Sequence, residues 1–122
     1  MGVYAIDHVQ LAMPAGAEAQ ARAFYVDVLG FTEIQKPAEL AQRGGAWFKA
    51  GEVELHLGIE QDFRPARKAH PALLVKDIRT LVEAILGAGG EVDTSQPALA
   101  GYRRVHVSDP FGNRIEIMEK LG

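Results

Sequence analysis

Two histidines and two glutamates recur at one interval along this chain of 122 residues. His8 and His70 are 62 positions apart, and Glu54 and Glu116 are separated by the same 62 positions. Imidazole nitrogens and carboxylate oxygens together bind divalent transition metals. Because each half of the chain supplies one residue of each kind, the spacing predicts a metal site built on a duplicated unit.

Several other chemistries lack the residues they need. The chain has no cysteine, which excludes disulfides, thiolate nucleophiles and cysteine-ligated metals. Neither Ser95 nor Ser108 lies in a nucleophile-elbow sequence. The glycines at 87, 89 and 90 follow a predicted helix instead of opening one, so they form no phosphate-binding loop. Any metal must therefore be held by histidines and carboxylates.

The apolar pattern of the first half predicts the order βαβββ. A short apolar run closed by Pro14 indicates a strand, and apolar residues at helical spacing that end at Gly30 indicate an amphipathic helix. The predicted strands cover residues 5–13, 31–36, 46–50 and 53–59, the helix covers 17–29, a loop covers 37–45, and the final hairpin turns at Gly51.

The second half repeats this order after a polar linker over residues 60–69. Asp77 is the expected N-cap of its helix, and the turn at 109–113 is rich in turn residues. The predicted strands cover residues 70–75, 91–94, 102–107 and 114–119, the helix covers 78–86, and a loop covers 95–101. We therefore predict an α+β fold: one domain over residues 1–122, with module one at about 3–60 and module two at about 69–120.

Strand alternation places the carboxylates away from the core. Glu54 and His56 share one face of their strand, and the opposite face is apolar. Glu116 likewise opposes Ile115 and Ile117. An isolated buried carboxylate is costly, so we expect the glutamates to meet the histidines of the first strands in a shared concavity.

Three segments resemble the vicinal oxygen chelate superfamily, which includes glyoxalase I, fosfomycin-resistance proteins, methylmalonyl-CoA epimerase, extradiol dioxygenases and bleomycin-resistance proteins. They are Ile6-Asp7-His8-Val9 on the first strand, Phe24-Tyr25 with Val28-Leu29-Gly30-Phe31 at the first helix, and the run from Asp109 to Glu116. The resemblance covers nearly the whole chain. It implies two βαβββ modules that form a curved mixed sheet, often paired across a homodimer.

Carried over by position, the resemblance implies a ligand set for a divalent ion such as Ni, Zn, Mn, Co or Fe. His8, His70 and Glu116 match the common ligands, and Glu54 matches the fourth ligand of glyoxalase-like members. Either glutamate would serve as the catalytic base. His56, two residues after Glu54 on the same face, could replace it as a ligand, bind substrate or support a ligand. His106 is more typical of a pocket-lining or surface residue than of a ligand.

Candidate substrate-binding residues are cationic or aromatic. Guanidinium groups bind carboxylates and phosphates bidentately, which would favour an anionic substrate. The candidates are Arg64, Arg67, Lys68, Arg103 and Arg104, with Trp47, Phe48 and Tyr102 as core residues or a stacking wall. A purely structural role, as a solvated linker or as core, is the alternative for each.

The resemblance implies a metal-dependent lyase or isomerase that acts on a small, oxygen-chelating metabolite through an enediolate-type intermediate. The alternatives are a metal-free, bleomycin-resistance-like binding protein and an Fe(II) dioxygenase. Pro71 lacks a backbone donor, and the metal site would be weakened if this proline turned His70 outward. The net charge of −3 argues against nucleic acid and anionic membranes as partners. We expect a cytoplasmic protein.

Overall fold

The computed structural model describes all 122 residues, which form two compact units, Met1–Phe63 and Arg64–Gly122. Each unit contains one four-stranded mixed sheet, and the α+β fold with two βαβββ modules is confirmed. None of the helices has the length and apolar character that a membrane-spanning helix needs.

The first unit has the sheet order β1-β4-β3-β2, in which β1 runs parallel to β4 and the other pairs are antiparallel. Its elements are β1 Val9–Met13, α1 Glu18–Arg22, a π-helical segment Ala23–Val28, β2 Thr32–Ile34, α2 Ala38–Ala41, β3 Ala46–Ala50 and β4 Val53–Ile59. Its core includes Tyr25, whose ring stacks on Phe48 at a centroid distance of 5.3 Å.

The second unit repeats the arrangement with the order β5-β8-β7-β6, in which β5 is parallel to β8. Its elements are β5 Ala72–Leu74, α3 Ile78–Gly87, β6 Val92–Asp93, β7 Tyr102–Ser108 and β8 Arg114–Lys120. Asp77 caps α3 as predicted, accepting hydrogen bonds from the backbone and hydroxyl of Thr80. Ile85, Ile115 and Ile117 are buried.

Several elements differ from the sequence prediction, and β2, β5 and β6 are each shorter than predicted. The first strand begins at Val9, not at residue 5, and Val9 pairs with Leu55 of the parallel strand β4. The first helix widens into a π-helix, and both Phe24 and Tyr25 of this wider turn are buried. The region 37–45, predicted as a loop, contains the short helix α2.

The turn between β7 and β8 is fastened by its own side chains. Asp109 Oδ1 accepts hydrogen bonds from the backbone of Phe111 and Asn113, and Asn113 Nδ2 donates to Asp109 Oδ2. Asn113 Oδ1 also accepts from the backbone of Ala66, and Arg114 N donates to the Ala66 carbonyl. Gly112, at φ +91°, supplies the left-handed position. The turn therefore ties the segment before His70 to the hairpin.

Replacing Asn113 with alanine should destabilise the fold by about 1–3 kcal/mol, because half-buried Ala66 and buried Asp109 each lose a hydrogen bond. Urea unfolding measures the change. Gln20→Ala, on the exposed side of α1, is the control and should stay within about 0.5 kcal/mol of the parent. Equal stabilities of the two variants would contradict this role of the turn.

Candidate metal centre

The second unit gathers two histidines around one glutamate. Glu116 on β8 and His106 on β7 are directly opposite each other in the antiparallel register. His70 lies just before β5, whose Ala72 pairs with Glu116. His70 Nε2 is 3.1 Å and His106 Nε2 is 3.6 Å from the same atom, Glu116 Oε1. One donor atom from each residue fits within 4.8 Å of the others, which is the spacing of a three-ligand metal site.

The hydrogen bonds of His70 determine which of its nitrogens can bind a metal. Nδ1 lies 2.8 Å from the carbonyl oxygen of Lys68, so Nδ1 carries a hydrogen and donates it. In the neutral ring, Nε2 then presents a lone pair to Glu116 Oε1, which is itself an acceptor. Two acceptors at this distance need a cation, either a proton on His70 or a metal ion. Pro71 does not turn His70 away from the cluster.

Glu116 is buried yet ionised. Burial by itself would raise the pKa of this carboxyl, but hydrogen bonds from Arg104 and His70 outweigh burial and hold the pKa below its usual range. Arg104 Nη1 donates to Glu116 Oε2 at 3.0 Å. The carboxylate therefore presents a charged oxygen to the two histidines, as a metal ligand requires.

His106 is suited to remain neutral. Its side chain is 4% exposed, and this burial, aided by the nearby Arg114 guanidinium, lowers its pKa against the opposing effect of Glu116. Its Nδ1 has no hydrogen-bond partner. A neutral imidazole is the form that binds metals, so the donor chemistry of His70, His106 and Glu116 fits a divalent ion.

The first unit holds a different cluster, a stack of three rings. The Trp47 indole lies 3.8 Å from the His56 ring at an interplanar angle of 5°, and the His8 ring lies 4.1 Å from the other side of His56. His56 is 3% exposed, and its Nε2 is 2.8 Å from Glu54 Oε2. His56 thus supports both a histidine and a carboxylate that the sequence predicts as ligands.

His8 resembles His70 in how its ring is oriented. Its Nδ1 is 2.9 Å from the carboxylate of Asp7, as Nδ1 of His70 is bonded to the Lys68 carbonyl. In both residues the partner lies within two positions in sequence and leaves Nε2 available. An acceptor on one ring nitrogen is the usual support of a metal-binding histidine. Both histidines precede their strands, β1 and β5, instead of lying within them.

The cationic residues predicted to bind substrate do not form one cluster. Arg103 and Arg104 point to opposite faces of β7, because neighbours in a strand alternate. Arg103 is 67% exposed beside Glu119, whereas Arg104 is engaged by Glu116 and by the carbonyl of Pro97. Arg64, Arg67 and Lys68 are exposed in the segment before His70. Half-buried Tyr102 shares the face of Arg104 and His106.

His106 is the residue of the cluster that sequence reasoning underrated. The sequence of the hairpin indicates the position of His106. A hairpin whose turn is centred on residue 111 places residue 106 opposite residue 116. Directly opposite residues share a face and lie close together. Counting register outward from the turn would therefore have paired His106 with Glu116.

Comparisons with known proteins agree with this fold. The model of the Glyoxalase/Bleomycin resistance protein/Dioxygenase superfamily matches residues 5–117. The structure of a glyoxalase family protein from Bacillus anthracis is 49% identical, covers 99% of this chain and 98% of its own, and has a TM-score of 0.92.

More distant structures share the fold. Fosfomycin resistance protein FosX from Listeria monocytogenes is 15% identical with a TM-score of 0.79 over 98% of this chain and 93% of its own. An integron cassette protein from Vibrio cholerae is 19% identical with a TM-score of 0.72 over 98% and 97%. No curated protein matches. On the extent of the family match, this chain belongs to the glyoxalase/bleomycin resistance protein/dioxygenase superfamily.

Proposed function

We propose that this protein is a metal-dependent lyase or isomerase that acts on a small, anionic, oxygen-chelating metabolite through an enediolate-type intermediate. The observation that carries the proposal is the buried carboxylate oxygen of Glu116, which two imidazole nitrogens face within metal-ligand spacing. Two imidazoles and a carboxylate whose donor atoms lie this close together are a ligand set that suits divalent transition metals.

The proposed ligands include those that the family resemblance implied and one that the structure adds. His70 and Glu116 are joined by His106, and His8, Glu54 and His56 remain proposed ligands or ligand supports from the first unit. Candidate ions are Ni, Zn, Mn, Co and Fe. Mn(II) is included because a FosX structure is described as complexed with Mn(II) and sulfate.

The two glutamates are proposed to have different roles. A bound divalent ion would supply Lewis-acid polarisation of a substrate oxygen. Both oxygens of Glu116 have partners in the second unit, whereas Glu54 has one oxygen bonded to His56 and is 24% exposed. We therefore expect Glu116 to matter more for metal retention and Glu54 to act as the general base.

Metal content tests the ligand assignment. The parent protein, purified without chelator and loaded with each candidate ion, should bind about one equivalent, and His70→Ala and Glu116→Gln should weaken binding by more than about 100-fold. His106→Ala should weaken it by about 10-fold or more. Elemental mass spectrometry and equilibrium dialysis measure this, with Glu91→Gln, an exposed residue of the same unit, as the unchanged control.

Trp47 reports on His8 in the same titration. It is the chain's single tryptophan and is linked to His8 through the stacked His56 ring. Binding of Ni(II) or Co(II) at His8 should quench the fluorescence of Trp47, and His8→Ala should abolish the quenching.

If no variant changes metal binding, or if the parent binds no ion, the enzyme hypothesis fails and a metal-free binding protein of the bleomycin-resistance type takes its place.

The reaction class is testable without knowing the substrate. An enediolate-type intermediate requires removal of a proton next to a carbonyl, so the metal-loaded protein should exchange that proton with solvent. A panel of 2-oxo acids, 2-hydroxy carbonyl compounds and hemithioacetals in D2O, followed by NMR, should reveal deuterium incorporation that EDTA abolishes. Glu54→Gln should reduce the rate by about 10²–10⁴-fold, and it should weaken metal binding less than Glu116→Gln does. Exchange unaffected by EDTA would contradict metal dependence.

We also propose that the protein is a homodimer. Besides the exposed terminal Met1, three large apolar or aromatic residues before β1 are exposed in the single chain: Val3 at 97%, Tyr4 at 98% and Ile6 at 78%. Grouped exposed apolar side chains are typical of protein interfaces. Sedimentation equilibrium should give twice the chain mass of 13.2 kDa, and Tyr4→Ser with Ile6→Ser should shift the protein towards monomer. A monomeric parent at micromolar concentration would contradict the proposal.

A further inference from the structure

We propose that Arg104 is a positioning residue that holds one oxygen of Glu116 away from the metal, so that Glu116 binds the ion through Oε1 alone. The inference rests on the proposed metal-dependent function and concerns how many positions on the ion remain open to substrate.

The two oxygens of Glu116 face different partners. Oε1 is the atom nearest both histidines, with His70 Nε2 at 3.1 Å and His106 Nε2 at 3.6 Å. Oε2 accepts a hydrogen bond from Arg104 Nη1 at 3.0 Å. The carboxylate therefore has one oxygen directed to the ligand cluster and one occupied by a fixed cation.

Arg104 is itself held in place. Its Nη2 donates to the carbonyl oxygen of Pro97 at 2.7 Å, so the planar guanidinium bridges a loop carbonyl and the carboxylate. The side chain is 21% exposed, and its buried Nε has no hydrogen-bond partner. Leaving a buried donor unpaired is unfavourable. Arg104 nevertheless keeps its bonds to Glu116 and Pro97 while its Nε stays unpaired. Rotation of Glu116 to present both oxygens to an ion would break the bond to Arg104.

The consequence concerns coordination. A carboxylate can bind a divalent ion through one oxygen or through both. On a six-coordinate ion, a second bound oxygen of Glu116 would occupy a position that a chelating substrate or a water molecule could take. By keeping Oε2 occupied, Arg104 leaves that position open. Arg104 therefore binds Glu116, a proposed metal ligand. The sequence instead predicts that Arg104 binds an anionic group of the substrate.

The test counts the water molecules on bound Mn(II) by water-proton relaxation of the full-length protein. Arg104→Met should let Glu116 bind through both oxygens, so Mn(II) should lose about one of its waters, with affinity equal to or higher than that of the parent. Arg104→Lys retains a cation and should keep the parent's water number. Arg103→Met is the matched control, an adjacent arginine on the opposite face, and should leave relaxivity unchanged.

The outcomes separate this inference from the proposed function. If the parent and Arg104→Met both bind Mn(II) with the same water number, the role of Arg104 is wrong and the metal function stands. If the parent binds no Mn(II) and none of the other candidate ions, the proposed function is wrong and this inference falls with it. Circular dichroism of each variant establishes that it is folded, and Arg104→Gln, which is shorter and polar, should give the same water loss as the methionine variant.

Discussion

The buried carboxylate of Glu116 is the group on which the candidate site depends. A charge at this depth is unfavourable unless it is paired, and Glu116 is paired on both oxygens, with the histidines at Oε1 and with Arg104 at Oε2. These contacts hold its pKa below the usual range although burial opposes them. The same contacts that stabilise the charge also fix the orientation of the Glu116 carboxylate, with Oε1 towards the histidines and Oε2 towards Arg104. A group held in this way is preorganised for an ion, because little rearrangement is needed when one binds.

The hairpin of the second unit enforces this geometry. Register on β7 and β8 places His106 opposite Glu116, and the fastened turn at 109–113 fixes that register. The same turn binds the backbone of Ala66, which precedes His70 by four residues, so one turn orders both sides of the cluster. In the first unit the corresponding support is aromatic: Trp47 and His56 form a stack that ends at His8. The two units thus share a topology and an acceptor on histidine Nδ1, whereas His8 is additionally supported by the ring stack.

Periodicity predicted the repeated βαβββ order because apolar faces recur at intervals that only strands and helices satisfy. It could not predict where β1 begins, since that limit depends on pairing with β4, a tertiary feature. The π-helical turn at residues 23–28 was missed because its apolar spacing fits an α-helix equally well. His70 and Glu116 emerged from spacing and resemblance, whereas His106 required register across the hairpin. The divergence of Arg103 and Arg104 follows from strand alternation, which the grouping of cations by sequence proximity ignored.

We propose that His70, His106 and Glu116 hold a divalent ion in this superfamily member. Anomalous diffraction from crystals soaked with Zn(II) tests it most directly. One anomalous peak is expected at about 2.0–2.2 Å from His70 Nε2, His106 Nε2 and Glu116 Oε1, with Arg104 still bonded to Oε2. A fully loaded crystal with no peak at this cluster, or with the ion bound only by other residues, would contradict it.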